Sequence, residues 1–320
     1  MKHTLPGLVV AVLIAMSALT AGEIKDVAPS DDAADLLIQG EYQGEIEGKG
    51  KWGAQVVARG AGKFQVHFLP GGLPGAGWDD KAKIKRVTVP AATEQGKTML
   101  TESRERWSGA IANDRLIGKT ADGSAFTLVR VTRASPASGA KPPEGALVLF
   151  DGTNTDHWPK AKMTDDKLLL VPAVTKQRFH DFTIHAEFRV PYPCPSRGNS
   201  GLILQNCYEI QILDSFGADA SPSGCGGLYV YRKPDVNMSF PPWTWQTFDA
   251  DFTAARFDAE GNMVERPIVT VRHNGVLIHD KVTLPEKGNI GRPTRDGGPI
   301  HLQAHGSAVR FRNIWLVEKK

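Results

Sequence analysis

The sequence predicts an all-β protein, a C-terminal jelly-roll sandwich preceded by a smaller β sandwich or barrel. Two observations carry this. Glycine (33) and proline (21) together supply about one residue in six of the 320, a density of chain-breakers that excludes a helical bundle and suits many short strands joined by turns. Apolar residues also alternate with period two in short runs, and no convincing amphipathic helix interrupts them in the C-terminal half. Hydrophobic residues at 41% and charged residues at 23% fit a soluble chain able to bury a core. Lysine plus arginine number 38 against 35 acidic residues, a net +3 with no basic run, which argues against nucleic acid as the main partner.

Residues 1–22 read as an export signal: Lys2 and His3, then an apolar run over 8–19, then small residues through Ala21 and Gly22. The run is about a dozen residues where a bilayer span needs roughly 20, so it is read as a cleaved leader rather than an anchor. No later segment is long and apolar enough to span a membrane. The expected location is therefore exported, periplasmic or extracellular. Residues 23–35 are polar and acidic and read as a mobile lead-in. In an oxidising compartment Cys194, Cys207 and Cys225 allow one bridge and one leftover thiol, with the pair unspecified.

From 36 to 133 strand-like runs occur at 55–58, 63–68, 83–89 and 126–131, separated by turn clusters such as the glycine-rich 70–77. Phe64, Val66 and Phe68 share one face, as in a half-buried strand. This region is a small β domain of unassigned role. The stretch 134–144, rich in proline, alanine and serine, reads as an extended linker. Between 145 and 320, strands are expected at 147–150, 168–171, 182–190, 201–205, 208–213, 227–231, 246–252, 268–273, 300–304 and 308–317. So many strands in that length suggest two packed antiparallel sheets.

Strand parity then exposes polar rows. In 182–190 the apolar set Phe182, Ile184, Ala186, Phe188 and Val190 faces a core, leaving His185, Glu187 and Arg189 opposite. In 208–214 Glu209 and Gln211 share a face and Asp214 opens a turn; in 299–306 His301, Gln303 and His305 share a side. Each row alone is an ordinary solvated strand face. Their composition argues for more, since Glu, Gln and His donate to and accept from hydroxyl groups, and aromatic residues such as Tyr208, Tyr229, Tyr231, Trp243 and Trp245 can stack on a sugar ring. If the strands are neighbours, they form a polar floor for a carbohydrate. Asp151, Asn154 and Asp156 could ligate calcium, although a turn of Asx side chains is the commoner reading.

The segments Leu149-Phe150-Asp151-Gly152-Thr153-Asn154 with Trp158, Asn199-Ser200-Gly201, Tyr208 to Ser215, Gly226-Gly227-Leu228-Tyr229, Trp245-Gln246-Thr247, Asn274-Gly275, Gly298 to Gln303, His305-Gly306 and Phe311-Arg312-Asn313-Ile314 occur in this order across 145–320. On these motifs the C-terminal region resembles the 3-keto-disaccharide hydrolase family, with the whole chain similar to secreted planctomycete-type members that carry an N-terminal β region. One departure stands out: Gln205-Asn206-Cys207 replaces the arginine the family often has after the Asn-Ser-Gly strand. The resemblance implies a concanavalin-like sandwich and cleavage of glycosides oxidised to a ketone at sugar carbon 3. On that hypothesis strand parity and motif position assign Glu209 or His305 as base or acid and Glu187 as a further catalytic group, with His185, Gln211, Asp214, Tyr229, Gln303 and Arg312 as substrate-binding groups and Glu187, His185 and Asp214 as supporting or metal-binding groups. A divalent cation clamping the C3 carbonyl oxygen and a neighbouring hydroxyl would be a natural Lewis acid there. A non-catalytic, lectin-like carbohydrate-binding protein is the alternative.

Overall fold

The computed structural model describes residues 30–79, 81, 83–192 and 197–319. The expected export signal, residues 23–29 of the lead-in and Cys194 lie outside the described residues. No helix among the described residues is long and apolar enough to cross a membrane. In place of the end of a mobile lead-in, Ser30–Ile38 forms helix α1. Nine residues are too few to hold a helix alone; this one is docked. Asp35 is buried and accepts the Gly62 N–H, and the Arg130 guanidinium donates to the carbonyls of Leu36 and Gln39.

The N-terminal half contains β1 (Gly40–Ile46), β2 (Gly50–Gly60), β3 (Lys63–Pro70), the short β4 (Leu73–Pro74) and β5 (Gly77–Trp78), β6 (Val87–Glu94), β7 (Lys97–Leu100), β8 (Ser108–Ala112), β9 (Arg115–Lys119) and β10 (Ala125–Val131). Eight of them close a barrel in the order β1-β10-β9-β8-β7-β6-β3-β2. Closure removes the sheet edges that an open sandwich of this size would leave exposed. Phe64, Val66 and Phe68 point inward with Trp52, Val56, Trp107 and Phe126, the Phe68 and Trp107 rings 4.4 Å apart. The strand expected at 83–89 begins later, at Val87. Strand β2 is buried at every position from 52 to 58 because its outer side is covered too: Gly217, from the C-terminal half, sits so close to Val57 that any Cβ there would collide.

The C-terminal half contains β11 (Leu147–Phe150), β12 (Ala173–Val174), β13 (Phe182–Arg189), β14 (Ser200–Leu204), β15 (Tyr208–Ile212), β16 (Gln246–Thr253), β17 (Arg256–Phe257), β18 (Met263–Glu265), β19 (Ile268–His273), β20 (Val276–Thr283), β21 (His301–Leu302) and β22 (Arg310–Glu318). A six-stranded sheet runs β11-β22-β13-β16-β19-β20, and a four-stranded sheet runs β12-β21-β14-β15. The core between them joins Phe182, Ile184, Phe188 and Phe248 to Leu202, Leu204, Ile210, Ile212 and Leu302. The β19–β20 hairpin, absent from the sequence expectation, turns at Asn274-Gly275 with φ of 51° and 79°, the pairing that a two-residue hairpin favours. Two expected strands are not formed as such. Residues 227–231 make turns and isolated bridges, and 168–171 gives way to the short β12.

The stretch 134–144 is no free linker. It lies across the outer face of the six-stranded sheet. Ser135 Oγ meets Thr247 Oγ1 at 2.7 Å, Gly139 N–H donates to Glu187 Oε1 at 2.5 Å, and Asn313 Nδ2 donates to the Ala140 carbonyl at 3.0 Å. Cys207 and Cys225 are buried and not joined to each other.

Candidate functional site

The four-stranded sheet brings the expected residues together through register. Ile203 of β14 faces Glu209 on one side and His301 on the other, and Gly201 faces Gln211. The Gln303 N–H donates to the Gly201 carbonyl at 3.0 Å. Since Ile210, Ile212 and Leu302 fill the core, Glu209, Gln211, His301 and Gln303 take the opposite, outer face. His305 follows on an exposed turn, near enough for its charge to act on Glu209.

Glu209 is the centre of this face. A Cβ on Gly201 would come within 2.8 Å of Glu209 Cγ, so the glycine of the Asn-Ser-Gly motif is what lets the Glu209 side chain lie across β14. Asn289 grips it from above: Asn289 Nδ2 donates to Glu209 Oε2 at 2.7 Å, while the Glu209 N–H donates to Asn289 Oδ1 at 3.2 Å. The loop bearing Asn289 is fixed by Ile290 N–H on the Cys207 carbonyl and by Gly288 N–H on the Gly291 carbonyl. Glu209 is only 3% exposed. Burial pushes its pKa above the ordinary carboxylate range, against the Asn289 bond and the field of His305. A carboxylate raised in this way and held by one oxygen is a better proton acceptor near neutral pH.

The neighbours are polar and under-used. The side-chain oxygens of Gln211 and Gln303 are buried without a hydrogen-bond partner among the described residues, although buried polar atoms are nearly always paired. His301 Nδ1 lies 2.9 Å from Asn206 Oδ1, and burial lowers its pKa, so the ring is neutral at pH 7. With Nδ1–H donating to that oxygen, Nε2 is left as an acceptor. Tyr229 donates its N–H to the Glu209 carbonyl at 3.0 Å and borders, with Glu209, Tyr231 and Asn289, a small cavity of about 20 Å³. Asp214 acts as a turn-former at the end of β15, accepting the Phe216 N–H at 3.2 Å, and burial raises its pKa.

Three expected residues belong elsewhere. His185, Glu187 and Arg312 lie on β13 and β22, in the other sheet, and face away from Glu209 across the sandwich core. They form a charge network in which Glu187 and His185 are buried and Arg312 is half-exposed. Arg312 Nε donates to Glu187 Oε2 at 2.8 Å, and Asn313 Nδ2 donates to Oε1 at 2.9 Å. The register break between β13 and β22 lets both of these consecutive residues reach Glu187. His185 Nδ1 is 2.6 Å from Asp249 Oδ1, and its ring stacks on Trp315. His185 and Glu187 are fully buried beneath residues 138–140. Burial opposes the His185 charge, yet the bonds to Asp249 and Glu187 outweigh it and raise its pKa to about 9. Burial likewise opposes ionisation of Glu187, and the bonds from His185, Asn313, Gly139 and Arg312 lower its pKa to about 2. Trp243 and Trp245 also lie away from Glu209, stacked on Arg189, with Arg312 over Trp245.

Asn289 and Asn206 are absent from the sequence expectation. Neither lies in an alternating strand, and only the glycines flanking Asn289 mark its loop as tightly packed. Among the described residues no three His, Cys, Asp or Glu side chains cluster as a metal site. Asp151 instead accepts from the Thr153 N–H and hydroxyl, an Asx turn.

A family model described as a 3-keto-alpha-glucoside-1,2-lyase-like domain matches residues 145–317. A crystal structure described as "a putative glycosyl hydrolase" from Parabacteroides distasonis is 32% identical, covering 55% of this chain and 85% of that one, with a TM-score of 0.50. A second structure of the same description and organism is 18% identical over 55% of this chain and 95% of that one, with a TM-score of 0.42. No curated protein matches the chain.

Proposed function

Because the chain belongs to the 3-keto-alpha-glucoside-1,2-lyase-like family, whose members point to carbohydrate chemistry, we propose that its sandwich cleaves 3-keto-glycosides with Glu209 as the base. One observation supports this above others: a buried carboxylate of raised pKa shares a sheet face with two unpartnered glutamine oxygens and His301, with His305 on the turn that follows. A ketone at sugar carbon 3 acidifies the C2–H. Glu209 takes that proton, and the electron pair passes into the enolate at the carbonyl. The enolate then reforms the ketone as the C1–O bond breaks, with His305 giving a proton to the departing oxygen. Water adds at C1 of the unsaturated sugar, so the net change is hydrolysis. Gln211 and Gln303 hold hydroxyls or the enolate oxygen, and Tyr229 flanks the ring. No carboxylate pair of the kind ordinary glycosidases use is required. With residues 1–22 as a leader, the enzyme would work outside the cytoplasm.

Incubation of the purified protein with a chromogenic 3-keto-glucoside tests the reading. Turnover is expected in the wild type and lost, with folding retained, in Glu209→Gln and His305→Ala. Retention of unoxidised glycans with no release of the chromophore would instead identify a lectin-like binder on this face.

A further inference from the structure

A larger cavity lies between barrel and sandwich, and it shares no lining residue with the one at Glu209. Its volume is about 290 Å³, at the lower end of the roughly 300–1,000 Å³ typical of small-molecule sites. The barrel contributes Gln55, Trp78 and Arg86, and the sandwich contributes Asp219, Asp235 and Asn237.

Trp78 is placed here by the glycine-rich turn. Gly71 and Gly77 take φ of 85° and 111°, and a Cβ on Gly71 would lie 2.6 Å from the Gly77 carbonyl oxygen. Only glycine allows the chain to double back so tightly. The β4–β5 pairing that results leaves Trp78 half-exposed at the cavity, its indole without a hydrogen bond or ring partner among the described residues. Tryptophan is the largest apolar side chain and usually finds a partner for both its face and its N–H. Here neither a hydrogen bond nor a ring contact is made among the described residues, and the side chain stays part-exposed at the cavity.

The charges of the described lining residues cancel. Among the described lining residues Lys81, Arg86 and Lys233 face Asp79, Asp219 and Asp235, and Arg86 is paired with Asp219 at 3.0 Å. Such a lining has no net preference for an anion or a cation. It does present donors and acceptors in equal supply beside a flat aromatic face, which is the combination that suits a neutral polyol ring. We propose that this cavity is a second carbohydrate site, which seats one uncharged pyranose on Trp78 and is separate from the Glu209 face. It would hold a glycan beside the sandwich without taking part in bond cleavage.

The test is read at Trp78 itself, so it does not depend on turnover. The Trp78 indole N–H signal is identified in ¹⁵N spectra of the full chain by its loss in Trp78→Phe. The protein is then titrated with methyl β-D-glucopyranoside and with cellobiose, and separately with inorganic phosphate and calcium chloride. A saturable shift of that signal with the sugars is expected, and Trp78→Ala should weaken sugar binding at least about tenfold with an unchanged melting temperature. Glu209→Gln should leave the shift intact. A signal unmoved by either sugar, or one moved by phosphate or calcium instead, overturns the proposal.

Discussion

Replacing Glu187 with glutamine probes the charge network beneath residues 138–140. In the folded protein His185 stays charged to about pH 9, whereas in the unfolded chain it loses its proton near 6.5. A raised folded pKa means stability that is complete below pH 6.5 and lost as pH climbs through 9. At about 1.4 kcal/mol per pH unit, that interval corresponds to about 3 kcal/mol. Several other shifted groups act outside this interval. His67 and His273 are held neutral by burial, with pKa values near 4 and 3, and weaken the fold only below 6.5; the Cys207 thiol, pushed up to about 11, acts only above 9. The Glu187→Gln variant keeps Asp249 as a partner for His185 but leaves Arg312 and His185 with one carboxylate fewer. Breaking a buried pair costs about 3–5 kcal/mol; the 38% exposure of the Arg312 side chain places this one at the lower figure of about 3 kcal/mol, and for a domain of this size each kcal/mol moves the melting temperature by roughly 2–4 °C. We expect the variant to melt roughly 6–12 °C lower at pH 6.5 and to show a shallower decline between pH 6.5 and 9. Thermal unfolding followed by circular dichroism across that range is the assay. A wild type equally stable at pH 6.5 and pH 9, or a variant melting within about 2 °C of it, would refute the reasoning.

Three further outcomes follow from the site and the core. Gly201→Ala places a methyl group where the Glu209 side chain lies; kcat/KM on a 3-keto-glucoside should fall by about 10²-fold while the melting temperature drops only modestly. In Asn289→Ala the bond that favours ionised Glu209 is gone, so the acidic limb of the kcat/KM profile should move to higher pH. Trp158→Ala removes a fully buried indole that donates to the Leu149 carbonyl at 2.8 Å and should cost about 3–5 kcal/mol in chemical denaturation.

Local alternation is legible without coordinates. The inward set Phe182, Ile184, Ala186 and Phe188 and the outward pair Glu209 and Gln211 fall where period two puts them. The neighbours of each strand are not legible, because pairing is a long-range property. His185 and Glu209 look alike as polar members of alternating strands. Yet β13 pairs with β16 and β22, while β15 pairs with β14, and that choice sends the two polar rows to opposite outer surfaces. The barrel strands β7 to β9 are short and interrupted by exposed polar residues, so they carry little periodic signal and exist by closing the sheet. Residues 134–144 have linker composition, and composition is blind to the backbone N–H of Gly139, which is what Glu187 uses. Asn289 is hidden for a similar reason, since its role comes from a loop whose position is fixed by Cys207, far away along the chain.

The strip at 135–140 has a consequence for dividing this polypeptide. Recognisable family likeness starts at 145, yet the lid over Glu187 and His185 is woven from residues upstream of that border. A fragment trimmed to the recognised boundary would open the buried Glu187 and His185 to water and uncover the Thr247 hydroxyl that Ser135 now meets. The inherited module and the unit that folds are offset by about ten residues, and a cut that respects the physics falls before Ser135.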